Sequence, residues 1–261
     1  MDRVGCLKML RLSKRLEMIA NGVPKGSRLA DIGSDHALLP VFLAEQQRIS
    51  KAVAGEVNEG PFQAASKQVS AAGLSAVIDV RLGNGLEVIT AGEVDVVTIA
   101  GMGGTLIADI LEAGQEKLSG VSLLILQPNV GEYNVRSWLL KKDWILINEQ
   151  ILEEDGKIYE ILTAIPSNLA KSSNAELYEP RTLTDGVEVD RELLLTMGPF
   201  LLDKPVPAWF HKWHWELDKL NMILHRLSRS AKPESRIKEQ ELQQELKQIK
   251  EVIACLQKDP M

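Results

Sequence analysis

The residues best suited to ligand chemistry follow an apolar run near the amino terminus. Residues 29–37 read LADIGSDHA, which ends a predicted strand and begins a predicted helix. Open α/β sheets bind nucleotide-like ligands at such a junction, where Gly33 lets the backbone approach closely. Phosphate-binding loops read GxGxxG, but Asp35 and Ala37 replace the second and third glycines here. Because an acid repels a pyrophosphate but suits an amine or a sulfonium, the loop favours S-adenosylmethionine (SAM) over a nicotinamide cofactor.

Comparable signals follow the next three predicted strands. Glu56 ends the second strand, where a carboxylate accepts hydrogen bonds from both ribose hydroxyls. Asn84 lies between two glycines and suits the adenine amino group, while Met102, in the sequence GMGG, could pack against a ring or the sulfonium. Each signal is weak alone, but together they predict one cofactor site at the strand ends. Its predicted residues are Asp31, Gly33, Ser34, Asp35, His36, Glu56, Val57, Asn84, Gly101, Met102 and Gly103.

Alternating β-rich and helical stretches must position these residues. Seven apolar runs are predicted strands: 28–32, 52–57, 77–82, 94–100, 123–127, 144–147 and 159–165. The predicted helices are 37–46, 61–72, 84–90, 105–113 and 130–141. The alternation predicts right-handed βαβ units and therefore an α/β fold with a seven-stranded, mostly parallel sheet. Only a hairpin-length connection joins the last two strands, so we expect that pair to be antiparallel.

The sequence changes character after Pro166. We therefore predict a first domain at 1–166 and a second at 167–261, which begins with a polar linker. Apolar residues between 210 and 227, and again between 242 and 256, follow the three-four spacing of coiled-coil a and d positions. A Pro233-containing turn separates the two runs. The pattern predicts an antiparallel α-helical coiled-coil hairpin.

Composition limits the remaining function classes. The chain has 261 residues, two cysteines without metal or redox spacing, and no apolar run that could cross a membrane. We expect a cytoplasmic protein without a bound metal. Its net charge of −6 combines +5 over residues 1–28, −13 over 29–208 and +3 over 209–258, with Asp259 adding −1. Since screening makes local charge matter more than the total, the acidic sum does not exclude a nucleic-acid partner.

Several sequence blocks resemble the bacterial tRNA (adenine-22-N1)-methyltransferase family (TrmK), within the class I SAM-dependent methyltransferases. The specific blocks are ADIGSDHALLP at 30–40 and TIAGMGG at 98–104. Further blocks are LSKRL at 12–16, AGEVNEGP at 54–61, GNGLEV at 83–88, LILQPN at 124–129, EEDGKIYE at 153–160 and GPFL at 198–201. The resemblance thus extends over nearly the whole chain. The sequence departs from the pattern at Leu38, where an aromatic is common, and at Asn84, where Asp is common.

The resemblance implies a Rossmann-like methyltransferase that transfers a methyl group from SAM to N1 of an adenine in the D-arm region of tRNA. Asp35 is the first candidate to accept a hydrogen bond from the adenine amine; it is an equally good candidate to hold the SAM amino group. Asn129 is a second candidate for contacting the base, or else caps the next helix. Arg15 completes the predicted catalytic set, and it could instead pair with Asp35.

Two basic segments are candidate tRNA contacts. A predicted helix at 7–20 places Lys8, Arg11 and Arg15 on one side, beside an apolar arc. On the hairpin, the predicted RNA-binding residues are Lys212, Lys219, Arg226 and Arg229. We expect the tryptophans at 209, 213 and 215 to pack within the hairpin rather than to stack on bases.

Three alternatives to a tRNA methyltransferase remain open from the sequence. One is a small-molecule methyltransferase with a dimerising coiled coil, and another is an RNA-binding protein without catalytic activity. A nicotinamide oxidoreductase is disfavoured by the two missing glycines. We expect a monomer or a weak homodimer, because the two hairpin helices can cover each other within one chain.

Overall fold

The computed structural model describes residues 11–229 and 233–258. Their contacts group into two compact units. The first contains the described residues up to 148 together with 159–171, and the second contains 149–158 and the described residues from 172 onward. The tip of one β-hairpin therefore belongs to the second unit by its contacts. A division into independent domains at 166/167 stays a prediction.

The predicted seven-stranded sheet is confirmed. Its strands are β1 (Ser27–Ile32), β2 (Ile49–Glu56), β3 (Ile78–Leu82), β4 (Val96–Gly103), β5 (Leu123–Val130), β6 (Trp144–Glu154) and β7 (Lys157–Pro166). They lie in the order β3-β2-β1-β4-β5-β7-β6. The pairs β1–β2, β1–β4, β2–β3 and β4–β5 are parallel, whereas β5–β7 is antiparallel. Asp155 and Gly156 both have positive φ and close the β6–β7 hairpin, because such a turn matches the strand twist.

The helices of the first unit are α1 (Lys14–Gly22), α2 (Leu38–Glu45), α3 (Glu59–Ala71), α4 (Gly104–Ala113) and α5 (Glu132–Lys141). The helix predicted at 84–90 is only a 3-10 turn, Gly85–Val88. Gly104 and the loop before α5 approach closely, since a Cβ on Gly104 would overlap the Gly131 carbonyl oxygen. This contact holds the beginnings of α4 and α5 beside the carboxyl ends of β4 and β5.

The helix predicted at 7–20 is wrong at its beginning. The Ser13 hydroxyl accepts a hydrogen bond from Leu16 N and caps α1, which begins at Lys14. Such a cap fixes a helix start because it satisfies an otherwise unpaired backbone N–H. Arg11 therefore precedes the helix and does not share a helical face with Arg15. Lys8 lies outside the described residues.

The second unit contains the expected helical hairpin. Its elements are α6 (Asn174–Leu177), β8 (Arg181–Thr182), β9 (Glu188–Val189), α7 (Arg191–Met197), α8 (Pro199–Asp203), α9 (Pro207–Leu227) and α10 (Pro233–Lys258). The helices α9 and α10 pack against each other. Predicted a and d residues are buried on both, among them Trp213 and Leu217 on α9 and Ile249 and Ile253 on α10. The expectation for Trp215 is wrong, because this side chain is exposed.

Candidate cofactor and substrate site

The loop after β1 has a strained backbone. Gly33 has a φ of 67°, and the three residues Asp35, His36 and Ala37 follow with φ values of 44°, 66° and 56°. Left-handed backbone costs a residue with a Cβ about 1–2 kcal/mol, so a run of three must be held by its surroundings. At Gly33 a Cβ would overlap the end of the Met102 side chain. The loop thus brings the carboxyl ends of β1 and β4 into contact.

Glu56 is a buried carboxylate at the end of β2. Its Oε1 accepts a hydrogen bond from Ser34 Oγ at 3.3 Å, and the carboxylate also accepts from the backbone N–H of Asp35. Burial raises the pKa of Glu56 above its usual range, while these two hydrogen bonds oppose the shift. Ser34 was a predicted site residue without a stated role. The geometry makes it the side chain that orients Glu56.

Asp31 lies fully buried beneath the same loop. Burial raises its pKa from the ordinary 3.8 to about 7, and a 2.6 Å hydrogen bond from the Thr98 hydroxyl opposes the shift. The Glu56 carboxylate raises the pKa further, whereas the Arg15 guanidinium lowers it. Two carboxyl groups with raised pKa values therefore lie at one end of the sheet. A positively charged ligand placed there would favour their ionised forms.

A buried amide at the end of β5 connects the other side of the site. Gln127 Oε1 accepts from Arg15 Nη1 at 2.5 Å and from Gly101 N at 3.1 Å. Its Nε2 donates to Pro128 O at 2.8 Å and to Asn129 Oδ1 at 3.2 Å. Asn129 Nδ2 in turn donates to Gly101 O at 2.7 Å. Gln127 therefore holds the predicted catalytic residues Arg15 and Asn129 in one network, although the sequence analysis gave it no role.

The structure decides two alternatives for these side chains. Asn129 does not cap the next helix, because Gly131 occupies that position and the Asn129 amide bonds Gly101. Arg15 donates to Gln127, and its guanidinium lies 5.3 Å from the centroid of the Tyr159 ring, which is cation–π distance. Gln127 and Tyr159 are therefore the partners of Arg15 in this network, where one of the two predictions had named Asp35.

Tyr159 is a second residue that the sequence analysis missed. It lies near the beginning of β7, an antiparallel strand, so it comes to the edge where the parallel strands end. Its neighbour Glu160 is fully buried and accepts a hydrogen bond from Arg136 of α5 at 2.5 Å. This buried ion pair fixes the strand next to the site. The predicted antiparallel strand was the signal that could have found Tyr159.

A cleft of about 320 Å³ brings most of these residues together. It is lined by Arg15, Leu16, Asp31, Gly33, Ser34, Asp35, Ala100, Gly101, Met102, Asn129 and Tyr159. All three predicted catalytic residues are among them. The Asp35 side chain is 85% exposed, and its Oδ1 lies 3.8 Å from His36 Nε2. The sequence did not indicate this acidic neighbour for His36.

The other predicted cofactor residues lie outside the cleft lining. Glu56 and the exposed Val57 are at the end of β2, and Gly103 ends β4. Asn84 begins the 3-10 turn after β3 and lines a separate depression of about 540 Å³ beside α4. All of them nevertheless lie at the carboxyl edge of the sheet, the edge where doubly wound folds bind ligands.

The predicted RNA-binding residues of the hairpin lie on α9 or just beyond it. Lys219, Arg226 and Arg229 are exposed, and Lys219 Nζ pairs with Glu216 at 3.1 Å. Lys212 is half-buried, with its Nζ 5.6 Å from the centroid of the Trp213 ring. None of the described helices is long and apolar enough to cross a membrane. Among residues 11–229 and 233–258, no three or more His, Cys, Asp or Glu side chains cluster as metal ligands.

Together, the sheet order and the acidic and glycine-rich loops at its carboxyl edge define a Rossmann-like, class I methyltransferase. A family model described as tRNA (adenine(22)-N(1))-methyltransferase matches residues 29–255. The chain belongs to this family.

Similar proteins and solved structures match the chain over almost its full length. The chain is 44% identical over 245 residues to the tRNA (adenine(22)-N(1))-methyltransferase of Bacillus subtilis, covering 94% of this chain and 98% of that protein. The crystal structure of the B. subtilis M1A22 tRNA methyltransferase TrmK matches with a TM-score of 0.83 and 43% identity, over 94% of this chain and 99% of that one. A putative tRNA (m1A22) methyltransferase of Streptococcus pneumoniae, in complex with S-adenosyl-L-methionine, matches with a TM-score of 0.77 and 41% identity, over 93% and 100%.

Proposed function

We propose that this chain transfers the methyl group of SAM to N1 of adenine 22 in tRNA. The observation that carries the proposal is that the family match covers residues 29–255, and so includes most of the hairpin and every residue that lines the cleft except Arg15 and Leu16. The curated relative carries this activity in its name, and a similar structure is a complex with SAM. The enzyme is accordingly a SAM-dependent tRNA (adenine-N1)-methyltransferase.

The residues at the strand ends fit SAM as cofactor. The buried Glu56 carboxylate suits the two ribose hydroxyls, and Ser34 orients it. Exposed Val57 and Asn84 are our candidates to contact the adenine ring, while the cleft lined by Gly33 and Gly101 is our candidate to receive the amino-acid portion. The buried, pKa-raised acid Asp31 suits a ligand that carries positive charge. When bound, SAM supplies an electrophilic methyl group on a sulfonium that leaves as a neutral thioether.

The protein's own contribution is to position the target base. The N1 lone pair of adenine is free at neutral pH, so no general base is needed to activate it. Orientation alone can then supply a large part of the rate, up to ~7–11 kcal/mol. Arg15, Asn129 and Tyr159 line the side of the cleft formed by α1, β5 and β7, and we assign them to the base. Asp35 or the Asn129 carbonyl would accept a hydrogen bond from the adenine amine while positive charge develops on the ring.

The tRNA must also be held outside the cleft. A paired or stacked adenine has to be exposed before it can enter, so contacts to the surrounding phosphates are needed. Arg11 and the exposed cations of the hairpin, Lys219, Arg226 and Arg229, are our candidates, with Lys212 beside them. We further propose that the enzyme works in the cytoplasm as a monomer or weak homodimer.

Methyl transfer to unmodified tRNA transcripts tests the proposal. We expect radiolabelled methyl from SAM to enter a transcript with adenine at position 22 and to be recovered as 1-methyladenosine at that nucleotide. A matched transcript with guanine at position 22 is the control. Equal incorporation into both would refute the specificity, and no incorporation into tRNA, with transfer to a small molecule, would favour the alternative methyltransferase.

A further inference from the structure

One tryptophan of the hairpin differs from the other four in the chain. All five lie within the described residues, and four of them are buried: Trp138, Trp144, Trp209 and Trp213. Trp215 is 50% exposed on α9. Exposing half of so large an apolar side chain forfeits much of the free energy that its burial would supply, so its position suggests a partner.

Trp215 lies on a continuous exposed face of α9. At 100° per residue, five exposed side chains fall within about 40° of one line along the helix. We name this face the Trp215 stripe; it consists of His211, Trp215, Lys219, Met222 and Arg226, all exposed. With a rise of 1.5 Å per residue it is about 22 Å long. Aromatic, apolar and basic side chains alternate along it, and Met222 is as exposed as its neighbours at 58%.

The charges around the stripe favour a polyanion. The stripe contains no carboxylate, and residues 209–229 carry four Lys or Arg against two acids. Two of its members have acidic neighbours: His211 Nδ1 lies 2.9 Å from Glu153 Oε2, and Lys219 pairs with Glu216. Each of these is an exposed pair, which contributes little stability and can be exchanged for a phosphate.

We propose that Trp215 is a stacking platform for an RNA base, with Lys219 and Arg226 contacting phosphates further along α9. The inference rests on the proposed function and names a surface by which the tRNA is held. Proteins that grip unpaired nucleotides combine a basic track with exposed aromatic rings, because every base offers a π-face. An exposed indole with two cations about 6 Å and 16.5 Å further along the same face of the helix meets both requirements.

A second copy of this chain is a poorer fit to the same face. In a twofold interface the stripe would meet itself, and each copy would bring Lys219 and Arg226 to a face that contains no carboxylate. Like charges set against each other cost binding free energy. The two apolar members, Trp215 and Met222, are seven residues apart and do not form a continuous apolar seam.

Equilibrium binding of a tRNA transcript to the full-length protein tests the stacking role. We expect Trp215→Ala to raise the Kd for tRNA about 5- to 150-fold, the range for loss of one stacked base at ~1–3 kcal/mol. Trp215→Phe should restore most of the affinity. Ile237→Ala on α10, which removes another exposed apolar side chain, is the matched control and should leave the Kd unchanged.

Two further readouts separate stacking from charge. Arg226→Gln should lower the slope of log Kd against log salt by about 0.7–0.9, whereas Trp215→Ala should leave the slope unchanged. Because Trp215 is the exposed tryptophan, tRNA should quench the intrinsic fluorescence of the native protein but not that of Trp215→Phe. Retained quenching in Trp215→Phe would overturn the proposal.

The controls also separate this inference from the proposed function. If the native protein binds and methylates tRNA while Trp215→Ala binds it equally well, the stacking role alone is refuted. A change from dimer to monomer in Trp215→Ala by sedimentation, with tRNA affinity intact, would identify the stripe as a self-association surface instead. If the native protein neither binds nor methylates tRNA, both proposals fall.

Discussion

Replacing Gln127 by methionine should disconnect the substrate side of the cleft. Methionine is unbranched and similar in length, so it fills the space without offering a hydrogen bond. The change removes the acceptor shared by Arg15 Nη1 and Gly101 N, and the donor to Pro128 O and Asn129 Oδ1. All of these groups lie at the end of β5 or next to it. Gln127 makes four of the hydrogen bonds in this network, whereas Asn129 makes two.

The size of the stability loss depends on which of these groups can form hydrogen bonds to water once Gln127 is replaced. Arg15 is only half-buried and can be resolvated, so its 2.5 Å bond counts for less than the ~1.5–3 kcal/mol of a charged hydrogen bond. Gly101 is exposed and its N–H can also be resolvated, so each of the neutral hydrogen bonds that is lost costs about 0.5–1.5 kcal/mol. We expect Gln127→Met to lower the free energy of unfolding by about 3 kcal/mol. For a unit of this size that corresponds to a fall in Tm of about 6–12 °C.

Activity should fall further than cofactor binding. With saturating SAM and tRNA, we expect the methyl-transfer rate of Gln127→Met to drop about 10- to 100-fold, because Arg15 and Asn129 lose their common support. The Kd for SAM should change less than threefold, since Glu56 and Ser34 lie on other strands. Leu126→Met, the neighbouring buried position, is the matched control for introducing a methionine. Transfer by Gln127→Met within twofold of that control would refute the reasoning.

Three other substitutions test separate parts of the structure. Glu56→Gln should raise the Kd for SAM about tenfold or more by calorimetry, because charged hydrogen bonds are roughly twice as strong as neutral ones, while the exposed Glu59→Gln should leave it unchanged. The pKa of Asp31 is about 7 in the folded state against an ordinary 3.8, so between these pH values the folded state binds a proton that the unfolded state has lost. The contribution of Asp31 to stability therefore falls as pH rises from about 4 to 7. The unfolding free energy of the native protein minus that of Asp31→Asn should therefore fall by about 4 kcal/mol across that window in urea titrations. Gly104→Ala should destabilise by about 1–3 kcal/mol, because its Cβ would overlap a backbone oxygen, whereas Gly103→Ala has open space and should not.

The seven strands and most of the site loops could be predicted because their signals are local. Continuous apolar runs ending in Asp31, Glu56 or a glycine cluster indicate buried parallel strands, and parallel strands place their ends at one edge of the sheet. The heptad spacing of the hairpin is a local signal of the same kind. Its buried residues, such as Trp213 and Ile249, therefore fell where the spacing placed them.

The missed features depend on tertiary contacts that no periodicity reports. Gln127 matters because Arg15 arrives from a distant helix, and Tyr159 matters because β7 runs antiparallel to β5. The start of α1 was predicted too early because apolar residues continue from Ser13 toward the amino terminus. The Ser13 hydroxyl nevertheless caps the helix, which begins at the next residue. Trp215 was assigned to packing by its residue type, although its angular position places it about 160° from the buried Trp213.

The site divides into two halves that meet at one contact. Ser34 and Glu56 bind each other across β1 and β2, and Gln127 links α1, β4 and β5. Between the halves, Met102 lies against Gly33, where no side chain larger than hydrogen fits. A cofactor held by the first half and a base held by the second would therefore meet beside this glycine. Such a division lets each ligand be recognised by its own strands, which explains why the chain needs a glycine at the junction.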